Sequence, residues 1–219
     1  MDPRDAIERT VRDVLADGVF LCVRLDGATP LIEACEAAVR GGLTVLEITL
    51  TTPGAIDAIA HFAKSGGAIA GAGTALTVDD VRAVARAGGR FVLSPVFDPD
   101  VVDEAHRLGL LAVPGTSTPT EILSAHRHGA RLVKVFPAAA LGGAAYIRAV
   151  RGPLPGIPLV PTNGITADSI VDYIQAGAVA VGVGSEVFSR DFTFGHIEEA
   201  ARRIRHAMDT ARHHQIPAG

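Results

Sequence analysis

Leu132-Val133-Lys134-Val135-Phe136-Pro137 is an apolar, β-branched run with one charge at its centre. Such a run reads as a buried strand, so the lysine is the feature that needs explaining. Burial disfavours an ammonium and favours the free amine. A free amine is the nucleophile that attacks a ketone to form a Schiff base. A lysine in such a place can also snorkel from the strand end to solvent or pair with an acid, and the strand alone leaves these readings open.

Runs of the same kind recur outward from this one, at residues 19–24, 44–50, 68–71, 91–94, 110–113, 157–161 and 178–182. Alanine-rich helical segments lie between them, among them 30–41, 78–87, 101–108 and 169–176. Many of these end at a glycine (Gly41, Gly88, Gly109, Gly129, Gly177), which tolerates the left-handed turn that stops a helix. Thr118-Pro119-Thr120-Glu121 fits a capping box with proline at the first helical position. Thr52-Pro53 and Thr77-Val78-Asp79-Asp80 read as similar starts. Eight strand–helix units predict an α/β fold, a single (β/α)₈ TIM barrel over residues 1–219, with an extra N-terminal helix at about residues 5–16. A doubly wound sheet fits less well. Its glycine fingerprint belongs after the first strand, whereas Gly71-Ala72-Gly73-Thr74 follows the third and lacks the last glycine.

Composition narrows the function. The chain has 219 residues, 48% of them hydrophobic, and a net charge of −4, which argues against nucleic-acid binding. The basic stretch at 202–214 reads as a solvated helix face. Cys22 and Cys35 show no metal spacing and suggest a reducing compartment. The charged start Met1-Asp2-Pro3-Arg4-Asp5 lacks a signal-peptide core, and no apolar run is long enough for a bilayer. The expectation is a cytoplasmic protein with no membrane partner. The eight histidines form no His-Glu-x-x-His pattern, and no Ser-His-Asp or Cys-His arrangement stands out. No metal or other cofactor is expected.

Strand parity gathers the polar residues. Side chains alternate across a strand, so Leu132, Lys134 and Phe136 share one face. In the second strand the apolar Leu46, Ile48 and Leu50 face outward, which turns Val45, Glu47 and Thr49 inward. In the first, Phe20, Cys22 and Arg24 share a parity, with Arg24 at the C-terminal end. Thr74 closes the third strand and Pro95 the fourth. A lysine, a glutamate and an arginine therefore converge near the C-terminal mouth, where barrel active sites are built. Three charges inside a core are costly unless they pair or work. A buried Lys134–Glu47 pair is the simpler reading. The fuller one is a Schiff-base lysine, a carboxylate for proton transfer and an arginine for an anionic substrate group. Late in the chain, Pro161-Thr162-Asn163-Gly164-Ile165-Thr166 and Val181-Gly182-Val183-Gly184-Ser185 follow the seventh and eighth strands. Loops there often bind phosphate through backbone N–H groups, which makes Thr162, Gly164, Gly184 and Ser185 candidates.

Read in order, Glu47-Ile48-Thr49-Leu50, Gly71-Ala72-Gly73-Thr74, Pro114-Gly115, Thr118-Pro119-Thr120-Glu121, Lys134-Val135-Phe136-Pro137-Ala138, Gly142-Gly143 and Pro161-Thr162-Asn163-Gly164-Ile165 resemble one family. It is the bacterial 2-keto-3-deoxy-6-phosphogluconate (KDPG) aldolase family, which includes 4-hydroxy-2-oxoglutarate aldolases. The resemblance spans residues 19–188. It implies a class I, metal-independent aldolase that cleaves a phosphorylated keto-deoxy sugar acid to pyruvate and glyceraldehyde 3-phosphate, typically as a homotrimer. Lys134 then matches the Schiff-base lysine and Glu47 the proton-transferring glutamate. Thr74 and Pro95 match the pyruvate end, and Gly164, Gly184 and Ser185 the phosphate end. Thr49 and Phe136 complete the candidate substrate contacts. Two positions depart from the family. Thr51 stands where many members carry the arginine that holds the pyruvyl carboxylate, and Asn163 stands in place of a glycine. Arg24 can supply the missing cation, an arrangement more like the branch acting on the galactonate epimer (KDPGal). A phosphosugar isomerase or epimerase that uses Glu47 as base, and a non-catalytic barrel binding a phosphate ligand, are the other readings of the same residues.

Overall fold

Helix and strand alternate as the apolar runs predict. The computed structural model describes residues 2–27, 29–188 and 192–213. In chain order the elements are α1 (Pro3–Asp17), β1 (Val19–Val23), α2 (Leu31–Arg40), β2 (Val45–Thr49), α3 (Ala55–Ser65), β3 (Ile69–Gly73), α4 (Val78–Arg86), β4 (Phe91–Leu93), α5 (Pro99–Arg107) and β5 (Leu111–Val113). After them come β6 (Gly115–Thr116), α6 (Pro119–Arg127), β7 (Val133–Val135), α7 (Gly143–Arg151), β8 (Leu159–Pro161), α8 (Ala167–Gln175), β9 (Val181–Val183) and α9 (Phe194–His213). The expected capping boxes form at Thr77, closed by Asp80, and at Thr118, closed by Glu121. The start expected at Thr52-Pro53 does not form. Helix α3 begins at Ala55 with Gly54 at its N-cap, because the Thr52 hydroxyl is engaged with Thr49 and with the chain around Arg24.

The strands pair in parallel as a six-stranded sheet, β5-β4-β3-β2-β1-β9, and a three-stranded sheet, β6-β7-β8. The split between β5 and β6 falls at Pro114. Proline has no N–H to continue a ladder. The Pro114 carbonyl nevertheless accepts the Lys134 N–H at 2.9 Å. Between β8 and β9, the Val179 N–H reaches the Leu159 carbonyl at 3.0 Å, and Thr162 bridges Gly182.

Parity sorts the apolar residues into two clusters. Val45, Leu93, Leu111, Val113, Leu132, Val160 and Ala180 form one inner cluster with Phe20 and Phe91. Ile7, Val11 and Val14 of α1 join it. Leu21, Leu46 and Ile48, of opposite parity, pack with the surrounding helices in the other cluster. The Phe20 and Phe91 rings meet edge to face, centroids 5.3 Å apart, and burying each ring contributes about 1.5–3 kcal/mol. Gly71 makes room for them: a Cβ there would collide with the Phe91 carbonyl and lie 2.5 Å from its ring carbon Cδ2.

The basic stretch on α9 binds the protein itself. Arg203 pairs with Glu186 at 2.7 Å and Arg205 with Asp17 at 3.4 Å, while Arg212 donates to the Leu15 and Ala16 carbonyls. His214 lies outside the described residues. Both cysteines are free. Among the described residues no helix is long and apolar enough to cross a membrane.

The glycine argument is testable. Gly71→Ala should cost about 1–3 kcal/mol in urea unfolding, the usual price of overpacking. Gly67→Ala, with nothing within 4 Å of its added Cβ, should stay within about 0.5 kcal/mol of the parent. Equal effects would contradict the steric account.

Candidate active site

The C-terminal strand ends and the loops after them surround a cavity of about 340 Å³. Arg24 lies just past β1, Glu47 within β2, Thr74 after β3, Pro95 after β4 and Lys134 within β7. Phe136, Thr162, Gly164, Gly184 and Ser185 complete the predicted set on its wall. Thr49 is the exception. It is fully buried and is not among the lining residues. Its hydroxyl lies 2.8 Å from that of Thr52. At the end of β2 that hydroxyl meets its threonine neighbours and not the cavity.

Lys134 is held by its backbone. Its carbonyl accepts the Thr116 hydroxyl at 2.9 Å, and β7 pairs with β6 and β8 through Gly115 and Val160 opposite Lys134. The side chain is 8% exposed and that of Glu47 3%, with Nζ 3.7 Å from Glu47 Oε1. That is an ion-pair separation, longer than a hydrogen bond. Nζ also sits 5.4 Å from the centre of the Phe136 ring.

Glu47 needs space as well as a partner. A Cβ at Gly73, on β3 two residues past the partner of Glu47 in the ladder, would collide with Glu47 Oε1. The glycine is what admits the carboxyl group. Burial raises the Glu47 pKa above the ordinary carboxylate value, opposed by the charges of Lys134 and Arg24. Among the described residues Oε2 has no hydrogen-bond partner. A carboxyl group that holds its proton more tightly than usual, with a free oxygen beside an amine, can give and take protons during chemistry at that amine.

The Arg24 guanidinium, at the mouth, donates from Nη1 to the Thr51 hydroxyl at 2.9 Å. Cys22 and Asn163, not expected as contacts from the sequence, also line the cavity. Cys22 shares Arg24's inward parity, a signal that could have found it. Burial, more than the nearby Glu47, pushes its thiol up to about 12, so it is no thiolate nucleophile at neutral pH. Asn163 adopts a positive φ of 85°. Among the described residues no group of His, Cys, Asp and Glu side chains is arranged to hold a metal ion.

The family model for aldolases described as "KDPG and KHG aldolase" matches residues 9–201. A Treponema pallidum protein named "2-dehydro-3-deoxy-phosphogluconate aldolase" is 36% identical over 163 residues, 74% of this chain and 76% of that one. A Rhizobium meliloti protein named "Probable 2-dehydro-3-deoxy-6-phosphogalactonate aldolase" is 34% identical over 176 residues, covering 79% and 82%. The solved structure of the 2-keto-3-deoxy-6-phosphogluconate aldolase of Zymomonas mobilis with 3-phosphoglycerate superposes with a TM-score of 0.82 at 27% identity, over 90% of this chain and 95% of that one. The chain belongs to the KDPG and KHG aldolase family, and it is a lyase.

The raised Glu47 value sets a sign for stability. A native state that binds the proton more tightly than the unfolded chain loses that stabilisation as pH rises. The loss begins near the ordinary carboxylate value of 4.5 and is complete above the folded-state value. Glu47→Gln removes this dependence. Urea unfolding should show the glutamine variant gaining on the parent as pH rises through that window. A constant difference would contradict the raised value.

Proposed function

We propose that this chain is a Schiff-base aldolase that cleaves a 2-keto-3-deoxy-6-phospho sugar acid, KDPG or its galactonate epimer, to pyruvate and glyceraldehyde 3-phosphate. The observation that carries the reading is the buried Lys134 amine, 3.7 Å from the Glu47 carboxyl group on a cavity wall. Relatives named as gluconate and galactonate aldolases support the substrate class.

In this reading Lys134 Nζ attacks C2 of the keto acid. Glu47 supplies the proton that lets the carbinolamine lose water, which gives an iminium. The iminium draws in the electron pair of the C3–C4 bond as the C4 hydroxyl loses its proton. The aldehyde departs, the enamine takes a proton at C3, and water releases pyruvate and the free amine. Arg24 offers two parallel donors to the substrate carboxylate. The Thr162–Gly164 and Gly184–Ser185 loops hold the phosphate through backbone N–H groups, with Thr74, Pro95 and Phe136 around the three-carbon end.

The two sheets are read as one closed (β/α)₈ barrel with an extra helix, α1, at its N-terminus. The fifth strand is then β5 and β6 together, interrupted at Pro114. The bonds from Val179 to Leu159 and from Lys134 to Pro114 support closure. A reducing, cytoplasmic setting fits the two free cysteines. The family resemblance suggests a homotrimer. Sedimentation at micromolar concentration should give three times the chain mass of 22.6 kDa, and a monomer would contradict it.

Borohydride with pyruvate should inactivate the enzyme and leave a reduced adduct on Lys134, whereas borohydride alone should not. KDPG and KDPGal assayed side by side should show which epimer is the better substrate. An adduct mapping to Lys64, the chain's other lysine, would overturn the assignment, as would turnover of neither acid.

A further inference from the structure

Arg24 is exposed and lies where the chain leaves β1. A long cationic side chain in that position samples many rotamers, and ordering it for a ligand has an entropic cost. Its surroundings oppose that freedom. Nη1 donates to Thr51 Oγ1 at 2.9 Å. Thr51 donates to Thr49 Oγ1 at 3.3 Å, and the Thr49 and Thr52 hydroxyls lie 2.8 Å apart. Thr52 donates to the Val23 carbonyl at 3.5 Å and accepts the Leu25 N–H at 3.1 Å.

A hydroxyl has one proton to donate and two lone pairs to accept with. In the short Thr49–Thr52 contact either hydroxyl can be the donor, and in both cases Thr49 Oγ1 keeps a lone pair to accept from Thr51. The hydrogen bonds connect the Arg24 guanidinium through Thr51, Thr49 and Thr52 to the Val23 carbonyl and the Leu25 N–H, on either side of Arg24. One network of three hydroxyls thus links the tip of the Arg24 side chain, at Thr51, to the backbone beside its base, at Thr52, and linked hydrogen bonds polarise one another. Thr49 and Thr52 are buried, so their links are shielded from competing water.

We propose that Thr51, supported by Thr49 and Thr52, is a positioning residue that holds the Arg24 guanidinium at the cavity mouth, ready to receive the carboxylate of the keto acid. The proposal rests on the Schiff-base reading and gives that site its anion specificity. Thr51 does not touch the substrate. It acts by reducing the ordering that Arg24 must undergo when the carboxylate arrives, so its loss should weaken keto-acid binding and leave the chemical step alone.

The test is a double-mutant cycle in Thr51→Val and Arg24→Ala, read as the pyruvate concentration that half-saturates borohydride inactivation, with KM and kcat for the sugar acid alongside. Thr51→Val should raise half-saturation and KM about 3–10-fold, the worth of an ordinary hydrogen bond in a solvent-exposed setting. Its kcat should stay within about twofold of the parent. Thr51→Ser, which restores the hydroxyl, should restore both constants. In the Arg24→Ala background Thr51→Val should add nothing. Thermal unfolding checks that each variant folds, and Thr51→Ala provides a second variant without the hydroxyl. An equal Thr51→Val effect with and without Arg24 would overturn the inference, as would a loss confined to kcat. If pyruvate fails to sensitise the parent enzyme to borohydride, the Schiff-base reading falls, and this inference with it.

Discussion

A desolvated amine and a desolvated carboxyl group face each other inside this protein, and much of the rest of the structure serves to keep them there. Removing one partner from such a pair leaves an uncompensated buried charge and costs about 3–5 kcal/mol. The surrounding strands must therefore fix both. Lys134 is pinned through its carbonyl by Thr116 and through its N–H by Pro114. Glu47 sits in register opposite Gly71 on β3, with Gly73 leaving room for its Oε1. Beneath them the Phe20–Phe91 contact and the apolar face of α1 fill the inner cluster. Water is thus kept from the N-terminal side, and the cavity opens at the C-terminal strand ends.

The same geometry divides the labour among the other charges. Arg24 stands at the mouth, where its guanidinium donates to the Thr51 hydroxyl. Its charge, with that of Lys134, opposes the effect of burial on Glu47. Burial is the larger effect, so the carboxyl group holds its proton more tightly than an ordinary carboxylate. Cys22 shares the cavity but takes no part in this balance at neutral pH, because burial keeps its thiol protonated.

Much of the site was legible in the sequence because strand parity is a strict alternation. Once Leu46 and Ile48 are assigned outward, Glu47 must point inward, and the lysine of the Leu132–Pro137 run follows by the same rule. Legibility ended where backbone geometry departs from alternation. The two-residue strand β6 lies beyond the 110–113 run, at Gly115-Thr116, which carries no apolar signal of its own. Thr49, expected to face the cavity, instead has its hydroxyl engaged by Thr51 and Thr52 just after the strand. Thr52 looks like a helix cap and instead serves the chain around Arg24. The Arg24–Thr51 bond joins residues 27 positions apart, and no local pattern announces a contact of that span.

The most direct measurement is a crystal structure of the protein soaked in pyruvate. The account predicts continuous electron density between Lys134 Nζ and C2 of the three-carbon unit, with the carboxylate against Arg24 and a Glu47 oxygen within hydrogen-bonding distance of the former ketone oxygen or nitrogen. Pyruvate bound in the cavity with an unmodified Lys134, or joined to any other side chain, would contradict it.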